Sequence, residues 1–147
     1  MKNHENLSLI ALARQIAVKH CVNPSLVCAV IEQESGWDPW AMRFEPIFER
    51  RYIRPALPLA PSTEELSLAI SWGLMQVMGE TAREHGFTGR FLNALCDPEV
   101  GISVGCAVLS DKLNKAKGDV PKGLFSWNGG ANSDYAGQVL ARMPNYE

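Results

Sequence analysis

Apolar residues recur at helical spacing along most of this chain, and the breaks between runs fall on capping and turn residues. Leu9, Ile10, Leu12, Ala13, Ile16 and Ala17, with Arg14 and Lys19 between them, predict an amphipathic helix over residues 7–20. Asn23-Pro24-Ser25 opens a second helix, with Asn23 as cap and Pro24 in the first turn, where a missing N–H costs nothing. Leu26, Val27, Val30 and Ile31 carry it on until Ser35-Gly36 and Pro39 stop it. The stretch from Trp37 to Phe48 is dense in aromatics and broken by Pro39 and Pro46, so it reads as irregular. Pro55, Pro58 and Pro61 make residues 54–61 a surface loop or flap. The Ser62 to Glu65 spacing is a capping box for a short helix through about Ile70, and Ser71 to Met78 reads as two further helical turns. Thr81 to His85 is helical with Gly86 as its C-cap. Asp97-Pro98 then starts the longest helix, reaching about Ala116. Pro121 begins a short helix to Trp127, cut by Asn128-Gly129-Gly130, and Ser133-Asp134 caps a last one from Tyr135 to about Met143. No internal repeat appears and no alternation longer than a few residues, so the expected fold class is mostly α.

One polar position stands out against this pattern. Glu34 lies at i+4 from Val30 and i+3 from Ile31 and shares their inward face, whereas Glu32 points elsewhere and is expected to be solvated. A carboxyl held against apolar walls keeps its proton to higher pH, which is what a general acid needs. On residue type alone an exposed helix-end glutamate is the commoner case. Gln76, an amide among Leu, Met and Val, is either satisfied internally or presented to a ligand. Trp37 and Trp40 suit stacking on sugar rings or capping a core equally well.

Length and charge narrow the classes. The 147 residues make one expected domain, and a net charge of -2 leaves no basic excess for nucleic acid or an anionic surface. The cysteines (21, 28, 96 and 106) form no pair of C-x-x-C motifs and His4, His20 and His85 lie far apart, so zinc has little support and no cofactor is expected. The start, Met1 to Asn6, lacks the charged-then-apolar pattern of a secretory leader, so the thiols are expected to be reduced and buried. No apolar run approaches the length needed to span a bilayer.

Glu34-Ser35 at a helix end, Gly73-Leu74-Met75-Gln76-Val77-Met78 followed by Thr81-Ala82, Asp97-Pro98 opening a helix, Asn128-Gly129-Gly130, and Tyr135 with Val139 stand in one order and spacing. Together they resemble the soluble lytic transglycosylase family over roughly residues 8–143. The resemblance implies a helical, goose-type lysozyme-like fold with a Pro-rich loop or insertion at about 44–70. It implies Glu34 as the sole catalytic acid/base, Ser35 and Gln76 as polar neighbours of the cleft, and Met75, Trp127 and Asn128 as groove-lining residues. Tyr135 would lie close to the glutamate. Trp127 stands where the family usually has a tyrosine, which removes a hydroxyl from the site wall.

The implied substrate is the glycan strand of peptidoglycan, cut between N-acetylmuramic acid and N-acetylglucosamine to leave a 1,6-anhydro end, by a monomeric enzyme. Two alternatives stand beside it. A muramidase would use water and a second carboxylate about 5–9.5 Å from the first. Asp38, Glu45 and Glu49 are the acids available, and Glu45, wedged between Phe44 and Pro46, is the foremost. A non-catalytic glycan-binding or virion component would keep the fold without the activity. The substrate lies outside the cytoplasmic membrane, so a phage lysin, a virion-borne enzyme, a secretion-system cargo and a chain trimmed of its leader all fit.

Overall fold

A computed structural model describes residues 2–56 and 62–147. The described residues are mostly helical, as the pattern predicts, and they also form a small sheet that it does not. The first helix, α1 (Lys2–Lys19), begins ahead of its first apolar position, and α2 (Pro24–Ser35) starts where the Asn23 side chain accepts from the backbone N–H groups of Ser25 and Leu26. Every residue from Ser25 to Ile31 is buried, so α2 runs through the interior rather than along it. Each fully buried aliphatic side chain there contributes about 1.5–3 kcal/mol. Gly36 ends the helix in the left-handed conformation at φ 58°, a position that suits glycine.

Strand β1 (Met42–Phe44) follows, then a turn of helix α3 (Pro46–Phe48), a π-helical turn (Glu49–Ile53) and a 3-10 turn (Arg54–Ala56). Pro55 lies in the last of these, whereas Pro58 and Pro61 fall outside the described residues. Helix α4 (Thr63–Ser67) has both halves of the predicted capping box but stops short of Ile70. Ile70 belongs instead to strand β2 (Ile70–Trp72), which turns back through residues 73–76 into β3 (Val77–Met78). The order is β1-β2-β3, antiparallel, with Arg43 opposite Ser71 and Ser71 opposite Met78.

The hairpin corrects the expectation of helical turns from Ser71 to Met78. A short apolar run does not distinguish strand from helix, and here pairing to β1 decides it. Gly73 and Gln76 both adopt positive φ (69° and 49°), which a helix cannot accommodate. Beyond the sheet lie α5 (Gly79–Glu84), a 3-10 turn (Leu92–Cys96), α6 (Pro98–Lys115), α7 (Val120–Trp127), α8 (Tyr135–Arg142) and a closing 3-10 turn (Met143–Tyr146). Helix α6 packs on α1, α5 and α7, and α2 on α1, α8 and the closing turn.

That closing turn clasps the middle of the molecule. The Tyr146 hydroxyl donates to Glu32 Oε2 (2.7 Å) and accepts from Trp37 Nε1 (2.9 Å), while its carbonyl accepts from Ser25 Oγ (2.9 Å) and Arg14 Nη1 (2.5 Å). Glu32 is therefore tied to the C-terminal turn rather than solvated. Trp37, 7% exposed, caps the core, and Trp40, 76% exposed, stands in solvent. Burial first, then the adjoining Glu32, pushes the Tyr146 phenol up to about 12. Tyr146→Phe leaves the half of the clasp made by the ring hydroxyl unmade and strands the Trp37 N–H. It is expected to lower stability by about 1–2 kcal/mol, read as a shift of the urea midpoint at unchanged slope.

The four cysteines are free thiols. Cys28, Cys96 and Cys106 are buried, and burial pushes Cys28 up to about 11 and Cys106 to about 12, so both stay protonated. Cys21 differs from the expectation: it sits exposed in the turn after α1 at φ 57°.

Candidate active site

Glu34 occupies the last turn of α2, where the helix leaves the core and the carboxyl emerges at a cleft of about 390 Å³. Two donors converge on one of its oxygens. The Tyr135 hydroxyl, at the first turn of α8, lies 2.5 Å from Oε1, and Trp127 Nε1, at the last turn of α7, lies 3.0 Å from the same atom. Among the described residues none hydrogen-bonds Oε2, so one oxygen is held and the other is left to the cleft.

The proton affinity of this carboxyl is the outcome of a contest. Burial raises it most; the hydrogen bonds from Tyr135 and Trp127 and the charge of Arg43 lower it, and the charge of Glu45 raises it again. Desolvation wins and the net shift is upward. The negative end of the α2 dipole acts in the same direction. Tyr135, buried beside that carboxyl, has its phenol pushed far above the ordinary range by burial and by the Glu34 charge, and so remains a donor.

The sheet supplies one wall. Its register sets Arg43, Ser71 and Met78 side by side across three strands, and all three line the cleft. Glu45 follows β1, and its Oε1 accepts from Arg43 Nε (2.7 Å) and Ser71 Oγ (3.4 Å). The opposite wall is helical, with Val108 and Lys112 one turn apart on α6, and Ser126, Trp127 and Asn128 at the end of α7. The Asn128 amide closes the turn that follows: with its oxygen toward the backbone it accepts from Asn132 N (2.8 Å) and Ala131 N (3.3 Å).

Of the residues singled out in the sequence, Glu34, Glu45, Gln76, Trp127 and Asn128 meet at this cleft. Gln76 is held from behind, its Nε2 donating to the carbonyls of Ala41 (3.0 Å) and Gly73 (2.9 Å), so the internally satisfied reading holds for its N–H groups. Two placements differ from expectation. Met75 is fully buried and packs against Gly105 of α6; the turn after β2 points Leu74 and Met75 inward, so Met75 is core and not groove wall. Ser35 spends its hydroxyl on the carbonyls of Ile31 (3.2 Å) and Leu74 (2.8 Å), pinning the end of α2 to the hairpin instead of facing a ligand. Tyr135 lies against the Glu34 carboxylate, close to the glutamate as the resemblance implies, and at 4% exposed it does not itself line the cleft. Among the other acids, Asp38 caps the Trp40 N–H (2.9 Å), and Glu49 is buried and paired with Arg54 (2.9 Å).

Arg43, Ser71 and Lys112 were not singled out. The alternation Met42-Arg43-Phe44 and Ile70-Ser71-Trp72 is the local sign of where Arg43 and Ser71 fall, and three residues are too few to read.

No helix among the described residues is long and apolar enough to cross a membrane. No solved structure matches the chain. The transglycosylase SLT domain family matches residues 11–139, a span running from α1 to α8 and carrying Glu34, both its donors and both cleft walls. A buried acid at a helix end, anchored by one oxygen in a lysozyme-like helical fold, thus comes with a family match over most of the chain: the protein belongs to the SLT transglycosylases, which degrade the peptidoglycan of the cell wall.

Proposed function

We propose that the protein is a lytic transglycosylase that cleaves the β1,4 bond from N-acetylmuramic acid to N-acetylglucosamine, with Glu34 as single acid and base. The observation that carries this reading is the anchoring of Glu34 through Oε1 alone, in surroundings whose desolvation raises the proton affinity of the carboxyl. Oε2 gives its proton to the glycosidic oxygen as the bond to the muramic C1 breaks and an oxocarbenium-like centre develops. The muramic acetamido oxygen closes on C1 and shares the positive charge. The C6 hydroxyl then loses its proton to the carboxylate now present on Glu34 and attacks C1, releasing the acetamido oxygen. No water is consumed, the ring ends as a 1,6-anhydro sugar, and Glu34 is protonated again. In this reading residues 1–147 act as one catalytic domain and as a monomer.

Hydrolysis is the second reading, and the presence of Glu45 in the same cleft favours it. A carboxylate tethered by Arg43 and Ser71 is placed to orient a water. Mass spectrometry of fragments released from purified peptidoglycan separates the two. Products lighter by one water than their reducing counterparts establish transglycosylation. Reducing muropeptides, lost in Glu45→Gln, would make the protein a muramidase, and binding without release would leave a non-catalytic glycan-binding component.

The same scheme sets a pH dependence. The acid form of Glu34 is required, so cleavage falls as pH rises through its elevated pKa. The Tyr135 hydrogen bond lowers that value, so Tyr135→Phe is expected to move the alkaline limb of the kcat profile to higher pH. It also lowers kcat about tenfold, because Oε1 loses one of its two anchors.

A further inference from the structure

The cleft holds two cations from opposite walls, and acid/base cleavage of a glycosidic bond uses neither. Arg43, on β1, is committed through Nε to Glu45 at 2.7 Å. Lys112, on α6, is committed to nothing: among the described residues it has no ion-pair partner. Its neighbour Asp111 is taken by Lys115 (2.8 Å) and His85 (3.4 Å). Lys112 nevertheless lines the cleft one turn beyond Val108 and is half-buried there. An ammonium that lines a binding cleft without an ion-pair partner of its own favours a ligand that brings a negative charge.

The substrate class offers one such group. N-acetylglucosamine units are uncharged, and muramic units carry a lactyl carboxylate, either free or amide-linked to a peptide that bears carboxylates of its own. Resting on the proposed glycan-cleaving function, we propose that Lys112 forms a carboxylate-binding subsite that tells muramic strands from uncharged N-acetylglucosamine polymers. Arg43, already shared with Glu45, sets the opposite edge of the subsite. The selectivity is electrostatic, so it weakens with salt, and it acts on binding rather than on proton transfer.

The test measures binding by calorimetry with the full chain carrying Glu34→Gln, which prevents turnover. Three probes are used: chitooligosaccharide, glycan fragments stripped of their peptides, and fragments that keep them. Muramic fragments are expected to bind about tenfold more tightly than chitooligosaccharide of equal length. Adding Lys112→Met should erase that ratio, Lys112→Arg should restore it, and raised salt should reduce it. A preference already present in stripped fragments assigns the lactyl carboxylate as the ligand, and one confined to peptide-bearing fragments assigns the peptide. Equal weakening of all three probes by Lys112→Met, or no effect on any, overturns the subsite and leaves the glycan site standing. Failure of all three to bind would overturn the glycan-cleaving reading and the subsite with it.

Discussion

Glu34→Gln is expected to abolish release of soluble fragments from peptidoglycan while raising the melting temperature at neutral pH. Gln keeps an oxygen where Oε1 stands, so the Tyr135 and Trp127 donors remain satisfied and the site keeps its shape. What it cannot do is give up a proton to the leaving oxygen. A fall in kcat of about three orders of magnitude or more is expected, within the range for removing a positioned general acid. The stability effect has the opposite sign. Burial raises the proton affinity of Glu34 in the folded chain above that of an unfolded glutamate, about 4.3. Its protonation therefore supports the fold below that value, and the support is lost as pH rises through the elevated folded value. At neutral pH the native protein carries the cost of a desolvated charge that the glutamine variant lacks, so the variant should melt at the higher temperature. The advantage should shrink towards pH 4. A variant that kept wild-type turnover would remove Glu34 from the mechanism, and a Tm advantage that grew on acidification would contradict its raised pKa.

Gly73→Ala is expected to be the most damaging single-methyl change near the cleft. Gly73 stands at φ 69°, and a Cβ added there would run into the Leu95 carbonyl, which is backbone and cannot rotate away. The unfavourable φ costs about 1 kcal/mol and the overlap another 1–3 kcal/mol. The damage spreads into the site, because Gly73 N–H donates to Ala41 O (2.7 Å) and its carbonyl accepts from Gln76 Nε2 (2.9 Å). Chemical denaturation should report a loss of about 3 kcal/mol. The residual folded protein should show a raised KM, since the cleft wall built on the hairpin moves. A loss below about 0.5 kcal/mol would mean that the turn tolerates displacement and does not hold the wall.

Much of the framework is legible in the sequence because its signals are local. The Asn23-Pro24 start of α2, the Ser62-Glu65 capping box and the Asp97-Pro98 start of α6 each appear where the side-chain spacing puts them. In each case the polar group that satisfies the helix end lies within four residues of it. The inward face of Glu34 is legible for the same reason, since Val30 and Ile31 belong to the same two turns. The hairpin at Ile70–Met78 is not, because its partner, Met42–Phe44, lies far back in the chain and the two segments offer only three paired positions. The expectations for Met75 and Ser35 fail as a consequence. A turn between strands sends Met75 into the core beside Gly105 and offers the Leu74 carbonyl to the Ser35 hydroxyl.

By itself the sequence determined the helical class, the position of the acid at the end of a buried helix and the family to which the chain belongs. These follow from periodicity, capping and motif spacing, which act over a few residues each. Only the tertiary structure decided what the acid experiences. Tyr135 and Trp127 come from more than ninety residues away to hold one oxygen. Arg43 and Glu45 set opposing charges beside it, and Lys112 lines the facing wall. Hydrogen bonds and charges act over a few ångströms, and only folding brings residues so distant in sequence within that reach.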